Sequence, residues 1–101
     1  MQLEAFNRWL RTTKPHLVEN SFKVAVGDAK ALGRDYGDLD LAYEEDRCEA
    51  ICHDLRTLTV QENERRIAEA HRRGTKYRKM IKGRTVYLGT LAYYCEFLAS
   101  L

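Results

Sequence analysis

The sequence predicts an all-α protein, a compact bundle of four to five helices. Apolar residues recur at spacings of three and four along most of the chain, which is the period of an amphipathic helix. The chain has 101 residues, 45% of them hydrophobic, and this is enough for one domain with its own core. No repeat, low-complexity tract or Pro/Gly/Ser linker divides it, so we expect a single helical domain over residues 1–101.

The first two helices are predicted between Leu3 and Gly33. The first stops before Lys14, because a residue that precedes proline disfavours the helical conformation. The second is capped by Asn20 or Ser21, whose side chains can accept hydrogen bonds from free backbone N–H groups, and runs to Gly33. Its apolar positions follow the helical period: Phe22, Ala25, Val26, Ala29 and Leu32.

A third helix is predicted after a turn at Gly37. Asp40 is a suitable cap, and apolar residues then recur on one face as far as Leu55 or Leu58. The opposite face is acidic, so we expect it to lie in solvent. The apolar face consists of Leu41, Cys48, Ile51, Cys52 and Leu55.

Two more helices are predicted in the second half of the chain. Thr59 and Glu62 have the spacing of a capping box, so a short surface helix is predicted from Val60 to about His71. The last helix is predicted after Gly83, and its apolar girdle is broad enough to indicate a central position in the bundle. That girdle comprises Leu88, Leu91, Ala92, Cys95 and Leu98, with Tyr87, Tyr94 and Leu101 beside them.

The charges are strongly polarised along the chain, although the formal total is only +2. The segment from Arg56 to Arg84 carries ten Lys and Arg against three Glu, a net charge of +7. The segment from Asp28 to Asp54 carries nine acidic residues against three basic ones, a net charge of −6. A cationic face beside an anionic one attracts polyanions to one side of the molecule.

The basic segment predicts an electrostatic, mostly sequence-independent contact with the phosphates of double-stranded DNA. Two pairs of arginines at i, i+7 are predicted to form a strip on the fourth helix, which the following residues extend; Tyr77 among them is placed to stack on a base or a sugar. The alternative is a solvated face on which Glu62–Arg66 and Glu69–Arg73 pair at i, i+4. The candidate DNA-binding residues are Arg65, Arg66, Arg72, Arg73, Lys76, Arg78, Lys79, Lys82 and Arg84.

Three stretches, Leu3–Leu10, Asn20–Lys30 and Gly83–Leu98, together resemble the core-binding domain of tyrosine recombinases, the phage integrases. The likeness spans nearly the whole chain. It implies a four-helix SAM-like bundle that clamps one side of duplex DNA, mainly through phosphates, while a separate domain cleaves the strand. That family's catalytic His-x-x-Arg is absent, because His71 is followed three residues later by Gly74. We therefore expect no enzymatic activity and no cofactor.

The chain departs from that family in two further places. Ser21 and Phe22 stand where the family usually has a threonine opening its second helix, and residues 59–84 form a longer and more basic connection. Either the chain is a piece of a larger recombinase-like protein, or the bundle acts alone in another role.

The three cysteines are predicted to be reduced core residues. Cys48, Cys52 and His53 invite a zinc interpretation, but their spacing differs from the common zinc motifs. Cys48 and Cys52 continue one apolar helical face and Cys95 another, so packing accounts for all three. We assign no metal ligand and no catalytic residue.

A protein-binding role is the alternative to DNA binding. Tyr93 and Phe97 lie off the main apolar face of the last helix, so we predict that they form an interface with a protein partner or a second copy. The acidic third helix offers another surface for a basic partner. The chain lacks any apolar run near membrane-spanning length and starts without a secretory pattern, so we expect an intracellular, cytoplasmic protein with no membrane association.

Overall fold

The computed structural model describes residues 1–75, Tyr77 and residues 80–101, with the backbone alone for 80–82. Every secondary-structure element in the described part of the chain is a helix, which confirms the all-α prediction. Its six helices, against the four to five expected, are α1 (Leu3–Thr13), α2 (Glu19–Tyr36), α3 (Leu39–Asp46), α4 (Glu49–Thr57), α5 (Val60–Arg72) and α6 (Met80–Ala99). None of the described helices combines the length and apolarity that crossing a membrane needs.

Helix α6 occupies the centre of the bundle, as its apolar girdle predicted. It packs against each of the other five helices. Leu91 and Tyr94 are fully buried on it, and Tyr87 and Phe97 are nearly so. It begins at Met80 and not after Gly83, which is three residues inside the helix.

Four aromatic rings join α1 to α6. The Phe6 ring lies 4.9 Å from that of Tyr94 and 5.7 Å from that of Phe97, centroid to centroid, and Trp9 lies 6.0 Å from Phe97. The Tyr94 hydroxyl, at the edge of this cluster, donates to Asp40 Oδ1 at 2.6 Å and accepts from the Gln2 N–H at 3.0 Å. Burial raises the pKa of Tyr94 above its usual range, so it stays protonated.

The single third helix that we predicted is wrong, because the chain breaks into α3 and α4. Arg47 and Cys48 both adopt the left-handed conformation, with φ of 58° and 62°. Their N–H groups turn back to the carbonyls of Tyr43 and Ala42, at 2.9 and 3.2 Å, and end α3. Cys48 is thereby fully buried at the start of α4.

The predicted helix caps have mixed outcomes. Thr59 caps α5 as expected, since its Oγ1 accepts from the Glu62 N–H at 3.1 Å. Asp38, and not Asp40, caps α3 by accepting from the Asp40 N–H at 3.0 Å. Helix α2 begins at Glu19 after Val18, so the predicted caps Asn20 and Ser21 lie inside its first turn.

Candidate nucleic-acid interface

The first two arginines of the predicted strip are engaged in ion pairs. Arg65 donates from Nε and Nη2 to the two carboxylate oxygens of Glu62, at 2.9 and 2.7 Å. Arg66 turns inward and makes a bidentate pair with Asp54, at 2.7 and 2.8 Å, while its Nε reaches Glu62 at 3.2 Å. All three nitrogens of Arg66 are therefore used within the protein, which leaves this predicted DNA-binding residue less available to a phosphate than the sequence pattern indicated.

Asp54 is the centre of a network that joins α2, α4, α5 and the connection after α5. The Tyr36 hydroxyl donates to Asp54 Oδ2 at 2.6 Å, and Arg66 Nη1 lies 3.5 Å from the Tyr77 hydroxyl oxygen. Hydrogen bonds from Arg66 hold the pKa of Asp54 below its ordinary value, so the carboxylate stays charged. Hydrogen bonds from Arg65 and Arg66 likewise lower the pKa of Glu62 to about 2.

Sequence reasoning missed this network. Asp54 is twelve residues from Arg66 and eighteen from Tyr36, so no helical spacing connects them. Tyr77 was expected to stack on a base or a sugar, but it is half-buried beside the network.

Arg72 and Arg73, the second half of the strip, remain exposed. Both pair with the single carboxylate of Glu69, Arg73 at 3.8 Å. Their side chains are 74% and 65% exposed. Two guanidinium groups sharing one carboxylate leave a positive charge at this end of α5, and exposed pairs of this kind exchange readily for other anions.

Arg84, also predicted as a phosphate contact, has a hydrogen-bond partner within the protein. Its Nη1 donates to the Leu58 carbonyl at 2.9 Å, and the residue is half-buried. Leu58 lies between α4 and α5, so the bond ties the start of α6 to the junction of those two helices.

The remaining predicted contacts fall where the structure gives no side chains. Lys76, Arg78 and Lys79 lie outside the described residues, and Lys82 is described by its backbone alone, inside α6. Their position along the chain is nevertheless informative. They belong to the connection between α5 and α6 and to the first turn of α6, and residues 70–95 contain no Asp or Glu.

A cleft of about 470 Å³ lies beside the network, between α2, α4 and α5. Its walls carry charges of both signs, including Asp54, Arg66, Glu69 and Arg73. Because these carboxylates are already paired with arginines, the cleft has no net preference for an anion or a cation. Tyr77, which follows α5, borders this open space.

The two residues of the predicted protein interface differ in burial. Phe97 is 2% exposed and belongs to the aromatic core, so its prediction as an interface residue is wrong. Tyr93 is half-buried and lines a groove of about 260 Å³ between α2 and α6, with Lys14 Nζ 5.5 Å from its ring centroid. Val24 and Val86, both exposed, stand on the two sides of this groove.

All three cysteines are free thiols, Cys48 fully buried and Cys52 and Cys95 half-buried. In the part of the chain that the structure describes, no three His, Cys, Asp or Glu side chains come together as a metal site would require.

Comparison with known proteins gave no match to a family model, a curated protein or a solved structure. The likeness to recombinase core-binding domains rests on the sequence patterns described above.

Proposed function

We propose that this chain is a non-catalytic DNA-binding domain that holds duplex DNA through its phosphates. The contact surface is the cationic end, defined as Arg72, Arg73, Lys76, Arg78, Lys79 and Lys82. The proposal keeps six of the nine residues indicated by the sequence. It leaves out Arg66 and Arg84, which are held within the protein, and Arg65, which is paired with Glu62.

The observation that carries the proposal is the charge at this end of the molecule. All six cations follow Glu69, and no acidic residue occurs again until Glu96. The N-terminus of α6, a 20-residue helix with no acidic residue in its first turn, adds the partial positive charge of its backbone N–H groups. The run of basic residues in the sequence and the backbone N–H groups at the start of α6 therefore both favour a polyanion.

The two helices that flank the connection are each joined to the bundle by a polar contact. The Arg66–Asp54 pair attaches α5 to α4, and the Arg84–Leu58 hydrogen bond attaches α6 to the α4–α5 junction. These contacts support a division of roles in which Arg66 and Arg84 fix the framework and the cations between them in the sequence bind the ligand. Electrostatic contacts of this kind go mainly to phosphates and not to base edges, so we expect little sequence preference.

The resemblance to recombinase core-binding domains supports the same function. A SAM-like arrangement of the bundle, with DNA held on one side, is part of this proposal.

A triple variant with a matched control tests the proposal. Lys76→Gln, Arg78→Gln and Lys79→Gln together remove three charges from the cationic end. Arg8→Gln, Lys23→Gln and Lys30→Gln remove one Arg and two Lys, all exposed, from α1 and α2. In fluorescence anisotropy with duplex DNA of about 25 base pairs at low salt, we expect the first variant to lose at least tenfold in affinity and the control less than threefold. Equal losses would show that net charge alone matters, and would contradict a contact at the cationic end.

A second candidate function is a protein-interaction module that uses the groove between α2 and α6. The exposed Val24 and Val86, with Tyr93 in the wall, favour it. If the chain shows no DNA binding at low salt, pull-down with the unmodified protein against a Val86→Glu variant tests this candidate.

A further inference from the structure

A pair of thiols meets where the α3–α4 break touches the central helix. Cys48 lies in the break and is fully buried, and Cys95 lies near the end of α6 and is half-buried. Cys48 Sγ lies 3.7 Å from the Leu39 carbonyl, and Cys95 Sγ lies 4.0 Å from the Arg47 carbonyl. Arg47 directly precedes Cys48 in the chain, so the contact of Cys95 Sγ with the Arg47 carbonyl places the two thiols side by side.

From this contact we infer that Cys48 and Cys95 form a reversible disulfide when the protein meets a peroxide. The two residues are far apart in sequence and come from different elements, so the bond joins the break to α6 covalently. The third cysteine, Cys52, lies one helical turn after Cys48 and remains a free thiol.

The two sulfurs have different roles in the reaction. Cys95 is the more accessible, so its thiolate attacks the peroxide, one oxygen is transferred to sulfur, and water leaves. The Cys48 sulfur then attacks the sulfenic acid, its thiol proton leaves with the hydroxyl as a second water, and the S–S bond forms. Overall, two thiols give up two electrons and two protons to one peroxide.

The electrostatic setting favours this order of events. The neighbouring Cys48 thiol lowers the pKa of Cys95, which raises its thiolate fraction. Burial raises the pKa of Cys52, so this thiol competes poorly for the peroxide.

The disulfide changes the molecule at the α3–α4 break. Arg47 and Cys48 hold an unfavourable left-handed conformation there, and a covalent link to α6 prevents the break from opening while α6 is folded. We therefore expect the oxidised protein to unfold at a Tm higher by about 5 °C or more.

Peptide mapping of the unmodified protein tests the inference. The reduced protein is treated with hydrogen peroxide under native conditions, free thiols are alkylated, and the chain is cut with a glutamyl endopeptidase. Cleavage after Glu45 and Glu49 separates Cys48 from Cys52, so the two possible partners of Cys95 give different linked peptides. We expect residues 46–49 linked to the peptide that contains Cys95, with a mass lower by two hydrogen atoms and full reversal by a thiol reductant.

Three variants sharpen the result. Cys52→Ser should keep the disulfide and the rise in Tm, whereas Cys48→Ser and Cys95→Ser should lose both. Circular dichroism shows whether each variant is folded. If Cys48→Ser is not folded, the peptide map of the unmodified protein and the Cys95→Ser variant still test whether the Cys48–Cys95 disulfide forms. A Cys52–Cys95 link, a disulfide between two copies, or a Cys95 that stops at the sulfinic acid would each overturn the inference.

Discussion

The role of each arginine is decided by the partners that the fold brings to it, more than by its place in a charged run. Arg66 and Arg72 belong to the same predicted strip, yet one is fixed in a half-buried network and the other stands in solvent. The i, i+4 pairs of Glu62 with Arg66 and of Glu69 with Arg73 were predictable from helical spacing, and both are present. The Asp54 contact was not predictable, because it depends on how α4 and α5 pack.

Replacing Asp54 with Asn tests the network at this scale. The substitution keeps the shape but removes the charge opposite Arg66, so we expect the free energy of unfolding to fall by about 1–3 kcal/mol at neutral pH. The measurement is urea unfolding, with Glu45→Gln as the control, since Glu45 is an exposed carboxylate on α3. A change within about 0.5 kcal/mol for both variants would contradict the assigned role.

The same pair of proteins gives a pH signature. Because the pKa of Asp54 is lowered in the folded state, the carboxylate stabilises the fold above its unfolded pKa, and this stabilisation is lost as pH falls through the folded value. The difference between the unmodified protein and Asp54→Asn should therefore be constant near neutral pH and shrink below about pH 4. A difference in unfolding free energy that grows as pH falls would contradict a lowered pKa of Asp54 in the folded state.

Phe97 tests whether the aromatic cluster is core or interface. Its ring lies 5.5 Å from Tyr94 and is almost completely buried, so Phe97→Ala should cost about 3–5 kcal/mol of stability. Tyr93→Ala, four residues earlier and half-buried, should cost clearly less. Chemical denaturation of both variants measures the loss of unfolding free energy. A Phe97→Ala variant as stable as the unmodified protein would contradict the burial of Phe97 in the core.

At the scale of the elements, hydrophobic period predicted which stretches are helical but not where one of them breaks. The first helix, the Thr59 cap and the central position of the last helix follow from spacing, capping chemistry and the breadth of an apolar face. The break at Arg47 and Cys48 could not be predicted, because neither residue is the glycine that usually signals a left-handed turn. Gly83 predicts a later start of α6 than the structure has, because this glycine lies within the helix and not before it.

Two glycines, one inside α2 and one directly after it, test where this helix ends. Gly37 has φ of +93° and ψ of −175°, a region that side chains rarely adopt, whereas Gly27 lies inside the helix. At both positions an added Cβ meets no atom within 4 Å, so backbone conformation is the main difference between them. We expect Gly37→Ala to cost about 1–3 kcal/mol and Gly27→Ala to gain about 0.5–1 kcal/mol in thermal or urea unfolding. Changes of the same sign at the two sites would contradict the assigned end of α2.

At the scale of the whole molecule, the separation of basic and acidic segments along the chain is the feature on which the proposed function rests. The sequence was sufficient to locate the basic segment, since the distribution of Lys and Arg requires no knowledge of contacts. It could not divide that segment into framework and contact residues, because that division depends on tertiary hydrogen bonds such as Arg84 to Leu58.

The salt dependence of DNA binding tests the central claim most directly. The affinity of the unmodified protein for unrelated duplexes of about 25 base pairs is measured by anisotropy from low to near-physiological salt. If about five of the six cations engage phosphates, log K should fall with log salt at a slope of about −4 to −5, with similar values for each DNA sequence. The triple variant of the connection should have a slope shallower by about 2.7, and the control triple should keep the slope of the unmodified protein. No measurable binding at low salt, or binding that salt does not weaken, would contradict the account.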